Sequence, residues 1–133
     1  MWLPVKISWS FISLLLLLSL ASCSGGNAAQ EAPAVAEAYL KALADKDENG
    51  MISFSCADWE AQARLEYNSF AAVEVALENP SCQVSGQDGQ FTLVACSGKI
   101  VASYSAEDLV IDLSERTYLV IQEGGEWRMC GYR

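Results

Sequence analysis

The sequence predicts an α+β domain with N-terminal helices packed on one face of a curved antiparallel sheet of about four strands. Two patterns predict it. Up to Asn79 the apolar residues recur at helical spacing, whereas beyond Pro80 they recur at every second position among β-branched and aromatic residues. The dipeptides Asp88-Gly89 and Gly124-Gly125 then cut the second half into hairpins. With 133 residues, the chain has roughly one domain's worth of length.

Residues 1–22 read as a secretory signal outside the fold. Lys6 is their one charge, and the apolar run from Ile7 to Leu20 is about 14 residues, short of the ~20 that span a bilayer. An uncleaved membrane anchor is the alternative reading. Small residues follow the run at Leu20-Ala21-Ser22-Cys23. This site resembles the lipobox of bacterial lipoproteins, which implies a diacylglycerol thioether on Cys23 and cleavage just before it. The resemblance implies an extracytoplasmic protein tethered to a membrane through that lipid, since two or more acyl chains anchor stably. In a cell with two membranes, Ser24 resembles the outer-membrane sorting pattern. Loss of the first 22 residues removes one lysine and no acid, and takes the net charge from −9 to −10.

Residues 23–33 read as the lipidated Cys23 followed by a small-residue tether, too poor in apolar residues to pack. The folded domain is expected over residues 34–133. Pro33 suits the first turn of a helix, and Ala34 to Lys46 is rich in helix formers. Ala36, Tyr39, Leu40 and Leu43 share a face there, and Glu37 with Lys41 fits an i,i+4 ion pair. Asn49-Gly50 reads as a stop and turn. Met51 to Phe54 fits either a short helix or an extended connector. Ser55-Cys56-Ala57-Asp58 has the spacing of a capping box. Trp59, Ala63, Phe70, Val73 and Leu77 then form one stripe of a long helix ended by Asn79-Pro80, with Glu60, Glu66, Glu74 and Glu78 off its centre.

Strands are expected at Cys82 to Ser85, Phe91 to Tyr104, Leu109 to Gln122 and Trp127 to Tyr132, with a turn at Ser105 to Asp108. Leu109, Ile111 and Leu113 alternate with Val110, Asp112 and Ser114, a one-sided pattern. From Tyr118 to Ile121 both faces are apolar, which asks for cover on both sides. The helices cover one. A pocket wall, the curl of the sheet or a second subunit would cover the other.

Composition excludes several functions. Seventeen acidic residues against eight basic ones disfavour nucleic acid. The chain has no histidine, which removes Ser-His and Cys-His nucleophiles and His-ligated metal sites. Of five cysteines, Cys23 is assigned to lipid, and the other four allow three pairings. A three-residue loop at Asp88-Gly89-Gln90 sets Cys82 opposite Cys96, which leaves Cys56 to pair with Cys130, whereas a two-residue loop would set Cys82 opposite Ala95. No Cys-x-x-Cys occurs and the spacing fits no zinc pattern, so disulfides are expected rather than a metal or redox site. No cofactor is expected.

Two or three helices before a curved antiparallel sheet resemble the nuclear transport factor two-like, cystatin-like superfamily. The segments that carry the likeness are residues 35–43, Val-Ala-Glu-Ala-Tyr-Leu-Lys-Ala-Leu, and residues 123–129, Glu-Gly-Gly-Glu-Trp-Arg-Met. Cys-Ala-Asp-Trp-Glu at 56–60 also looks like small bacterial lipoproteins. The superfamily implies an open cone between helices and sheet, used by some members for catalysis and by others for binding, often as dimers. A non-enzymatic module binding a small apolar ligand or a protein partner is the first expectation. Tyr39, Trp59, Tyr104, Tyr118 and Trp127 are its candidate pocket residues, with Asp58 and Arg128 at the rim. The alternatives are a SnoaL-like isomerase or dehydratase, for which Asp112 and Tyr118 supply residue types although Asp112 faces solvent, and a structural envelope protein forming a homodimer through its sheet.

Overall fold

The computed structural model describes residues 27–133. The expected signal, the lipobox and Cys23 lie outside the described residues. No helix among the described residues is long and apolar enough to cross a membrane.

Helices come first. Helix α1 spans Ala28–Ala44, α2 Glu48–Ser53 and α3 Glu60–Phe70, with a 3-10 turn at Ala57–Trp59 ahead of α3. The strands follow: β1 Glu74–Asp88, β2 Phe91–Tyr104, β3 Glu107–Asp112, β4 Thr117–Glu123 and β5 Glu126–Tyr132. They form one antiparallel sheet in the order β1-β2-β4-β5, with β3 on β2 as well. The α+β class therefore stands, with five strands instead of four.

Helix α1 starts earlier than its sequence pattern suggests. The Asn27 side chain accepts from the Ala29 N–H at 3.2 Å, which caps the helix at Ala28. Ala32, expected in the tether, is fully buried. Pro33 thus lies inside the helix and forgoes one backbone hydrogen bond there. Glu37 does not pair with Lys41. Its carboxylate accepts from the Cys82 N–H at 2.8 Å, while Lys41 pairs with Asp45. Asn49-Gly50 does not stop the chain but lies in α2, capped by Asp47, which accepts from the Gly50 N–H at 2.9 Å. The turn falls instead at Lys46, with φ 58°.

The long helix expected up to Glu78 ends at Phe70. Val73 and Leu77 continue the helical stripe, but with Val75 between them they also fit a period of two. Pairing decides for the strand, since Glu74 to Glu78 lie opposite Ser103 to Lys99. Pro80 sits on this edge strand at an irregularity between Glu78 and Ser81. The capping box does not form either, because the Ser55 hydroxyl donates to the Met51 carbonyl at 2.7 Å.

Gly98 faces the Asn79-Pro80 irregularity. Its φ is 99°, and a Cβ there would stand 2.5 Å from the Asn79 carbonyl oxygen and 2.6 Å from that of Glu78. Gly98→Ala is expected to cost about 2–3 kcal/mol, through backbone strain and contact with rigid atoms. Urea denaturation with an unchanged m-value checks it.

The β1–β2 hairpin reaches the expected cysteine pair by another route. Asp88 lies opposite Phe91, so the loop is two residues long, and a bulge between Val84 and Gly86 restores the offset. Cys82 then faces Cys96, with Cα atoms 4.0 Å apart and a disulfide between them. Cys56 and Cys130 form the second disulfide. At Gly124-Gly125 both φ values are positive, 61° and 81°, which suits the tight β4–β5 hairpin.

The expected strand from Leu109 to Gln122 breaks in two. Asp112 accepts from the Ser114 N–H at 2.9 Å and starts a 3-10 turn at Leu113–Glu115. As a result β2 pairs with β3 along Lys99 to Tyr104 and with β4 along Thr92 to Ala95. Leu113 is buried, but Leu109 is exposed, against its one-sided pattern. In β4, Tyr118 and Val120 are buried against the helices, while Leu119 and Ile121 on the other face are only half covered.

Candidate functional site

Between helices and sheet, Tyr39, Leu40, Leu43, Met51, Tyr118 and Met129 are all buried and fill the space with side chains. The core face of α1 supplies the first three. The even positions of β2, from Thr92 through Val94 and Cys96 to Ala102, face the same interior.

At one end of this core stands Glu66, 9% exposed. The Tyr39 hydroxyl donates to its Oε2 at 2.5 Å, and the Tyr132 hydroxyl to its Oε1 at 3.1 Å. The Arg116 guanidinium lies 3.9 Å from Oε1 and stacks over the Tyr132 ring at 4.2 Å. Trp59 donates its indole N–H to the Tyr39 hydroxyl at 3.2 Å and meets the Tyr132 ring edge-on, centroids 5.6 Å apart. Tyr118 meets Tyr132 edge-on from the other side at 5.8 Å. Gly131 has a φ of 123°, and a Cβ there would come within 3.2 Å of the Trp59 ring, so a larger residue would strain the backbone and push the indole away from β5.

Glu66 is expected off the centre of the apolar stripe. Yet Glu66 follows Trp59 by nearly two helical turns and so falls on the stripe itself. A carboxylate in the middle of an apolar face was the available signal.

The phenols around Glu66 are held protonated. Burial pushes Tyr39 well above the ordinary tyrosine value, and the neighbouring Glu66 carboxylate adds to the push. Burial takes Tyr118 up to about 12, opposed by the nearby Arg116 guanidinium. Tyr132 is raised by burial and by Glu66. These groups release protons more readily in the unfolded chain than in the folded one. Stability is therefore expected to be level with respect to them below pH ~10, and to fall as the pH rises from there toward ~12. Denaturant midpoints read across that range check the slope, and Tyr118→Phe should flatten it.

The candidate pocket residues thus divide. Tyr39 bonds Glu66, Trp59 bonds Tyr39, and Tyr118 joins the cluster through Tyr132. Trp127 lies half-buried on β5 with its indole N–H buried and unpaired, as is the Tyr118 hydroxyl. Tyr104 is 42% exposed near the β2–β3 turn, apart from the others. Asp58 is exposed, and Arg128 donates to the Ser53 carbonyl and to Glu126. Asp112 faces solvent, and its bonds to Ser114 hold it below the usual carboxylate range. No cluster of His, Cys, Asp and Glu suited to a metal ion occurs among the described residues. Chemically the Glu66 group works as a brace, because both carboxylate oxygens already accept from the protein.

An open groove lies elsewhere. It has a volume of about 690 Å³ and runs between α1 and β1. Ala34, Ala38, Val75, Leu77 and Pro80 give it an apolar lining, and Glu37, Lys41 and Asp45 its polar groups. Alanines on this side of α1 keep the helix surface low.

No family model and no curated protein sequence matches the chain. Among solved structures, the chain is similar to a SEC-C motif containing protein from Rhodopseudomonas palustris, with a TM-score of 0.51 and 12% identity, over 80% of this chain and 78% of that one. It also matches the helical cell shape determining protein of Campylobacter jejuni, with a TM-score of 0.49 and 13% identity, over 75% of this chain and 38% of the other. The first likeness supports the fold alone.

Proposed function

We propose that this is an extracytoplasmic lipoprotein, held at a membrane by lipid on Cys23, that binds an elongated apolar ligand without catalysis. The observation that carries the reading is the contrast between a filled interior and an open outer groove. The interior space that an enzyme of the nuclear transport factor two-like superfamily would use is occupied by tyrosine, leucine and methionine side chains. The α1–β1 groove has a volume within the ~300–1,000 Å³ usual for ligand sites. From Ala34 to Asp45 it follows about 16 Å of helix, which suits an acyl-like chain. Lys41 supplies a cation for a polar end. The order of helices before an antiparallel sheet supports membership of that superfamily.

Titration with a dansyl-labelled undecanoic acid tests the groove. The full chain in neutral detergent should give a saturable rise in emission. Ala38→Trp, which fills the groove, should weaken binding about tenfold or more, while Tyr104→Ala should not change it. An absent rise, or one indifferent to Ala38→Trp, overturns the ligand assignment. Incorporation of labelled palmitate that Cys23→Ser abolishes tests the anchor separately.

A further inference from the structure

The sheet has three strand edges to protect, and they are treated differently. β1 carries Pro80, two irregularities, and an N–H at Cys82 bonded by Glu37. β5 is partly covered by the segment before α3. There the Cys56 N–H donates to the Met129 carbonyl at 2.8 Å and the Met129 N–H to the Phe54 carbonyl at 2.7 Å. β3 has neither device. It pairs only with β2, in continuous register from Lys99–Asp112 to Tyr104–Glu107, and has no proline or bulge. Five of its six residues are exposed, including Leu109 at 46% and Val110 at 54%.

The residue pattern of β3 says what could pair there. Glu107, Leu109 and Ile111 lie on the helix side of the sheet, as their partners Tyr104, Ala102 and Ile100 do. Asp108, Val110 and Asp112 lie on the other face. A second copy fits poorly. Antiparallel self-pairing along the whole strand sets Asp112 opposite Glu107 or Asp108, and in-register parallel pairing sets each acid beside itself. Like charges directly opposite are destabilising. A strand with basic residues on one face and apolar residues on the other meets both faces of β3. Its basic groups reach Asp108 and Asp112 and lay their stems over Val110, while its apolar side chains meet Leu109 and Ile111. The net charge of −9 favours the approach of such a partner.

We propose that the free edge of β3, Glu107–Asp112, is a docking site for an extended protein segment of alternating basic and apolar residues, which adds to the sheet as a further strand. The site is separate from the α1–β1 groove and does not depend on it.

Fluorescence anisotropy with a labelled peptide of alternating lysine and valine, acetylated and amidated, tests this on the full chain in neutral detergent. Saturable binding is expected, weakened by added salt. An oligolysine of equal length and an alternating glutamate-valine peptide should bind about tenfold more weakly or worse. Asp108→Lys and Val110→Lys alter exposed side chains and should each weaken binding about tenfold, with thermal melting within a few degrees of the wild type as the control for folding. Equal binding of oligolysine, binding indifferent to both substitutions, or absence of binding overturns the proposal. So does a dimer in sedimentation that either substitution dissolves, because the occupant would then be a second copy.

Discussion

Replacing Cys56 and Cys130 together by serine is expected to lower unfolding stability by about 4 kcal/mol, the largest effect of any change considered. The bridge closes a loop with a sequence separation of 74, and in the chain-entropy model a ring of that size restricts the unfolded chain by roughly 4–5 kcal/mol. Cys56 is fully buried beside Met129, so the serine variant also exposes a gap in the packing to a hydroxyl. The Cys82–Cys96 bridge spans a separation of only 14 within a hairpin that is already paired. Its removal should cost about 3 kcal/mol or less. Guanidinium unfolding of the two double variants, each beside the oxidised wild type, gives the comparison. A larger loss from the hairpin bridge would contradict the assignment of the longer tie as the principal one.

Glu66→Ala is expected to cost about 3 kcal/mol or more. The substitution removes the acceptor for the Tyr39 and Tyr132 hydroxyls at once and leaves Arg116 without its carboxylate. Arg116 is partly exposed and can turn to water, which limits the loss. Tyr39 cannot turn away, being 1% exposed. Glu66→Gln keeps an amide oxygen for one phenol and should cost about half as much. Tyr39→Phe with Glu66→Ala should be markedly less than additive, since both remove the same bond. Urea denaturation of the four proteins measures the coupling. A loss below ~1 kcal/mol for Glu66→Ala would mean that water replaces the carboxylate and that the cluster does not brace the fold.

Much of the fold was legible in local chemistry. The α1 face of Ala36, Tyr39, Leu40 and Leu43 and the Gly124-Gly125 hairpin follow from spacing and turn residues, and both expected cysteine pairs form, although Cys82 meets Cys96 through a bulge and not through the expected three-residue loop. What was not legible depends on partners distant in sequence. Val73 and Leu77 fit the helical stripe and, with Val75 between them, a period of two as well, and only the row of β2 residues opposite Glu74 to Glu78 selects the strand. Leu109 looked like a core residue because its alternation is sound, but the helices do not extend over that end of the sheet. Glu37 left its helical neighbour for an N–H on β1, which no sequence window contains. Of the candidate site, three of five aromatics join the cluster at Glu66, Tyr39 directly, Trp59 through Tyr39 and Tyr118 through Tyr132. The carboxylate was missed because acidic residues were assigned to solvent by type and not by position. The α1–β1 groove left no sequence signal, because it is an unfilled space between alanines.

The coupling of Phe54 and Cys56 to Met129 also has a consequence for how the molecule is made. A nascent chain carries its helices out of the ribosome long before residue 129 has been joined to it. Until then the segment before α3 lacks its backbone partner, Cys56 its thiol partner, and Glu66 the phenol of Tyr132. Closure must therefore be late and nearly simultaneous over the whole body, as expected of a fold dominated by contacts between distant parts of the chain. Polypeptides arrested before that point should display their tyrosine-rich interior to chaperones and proteases.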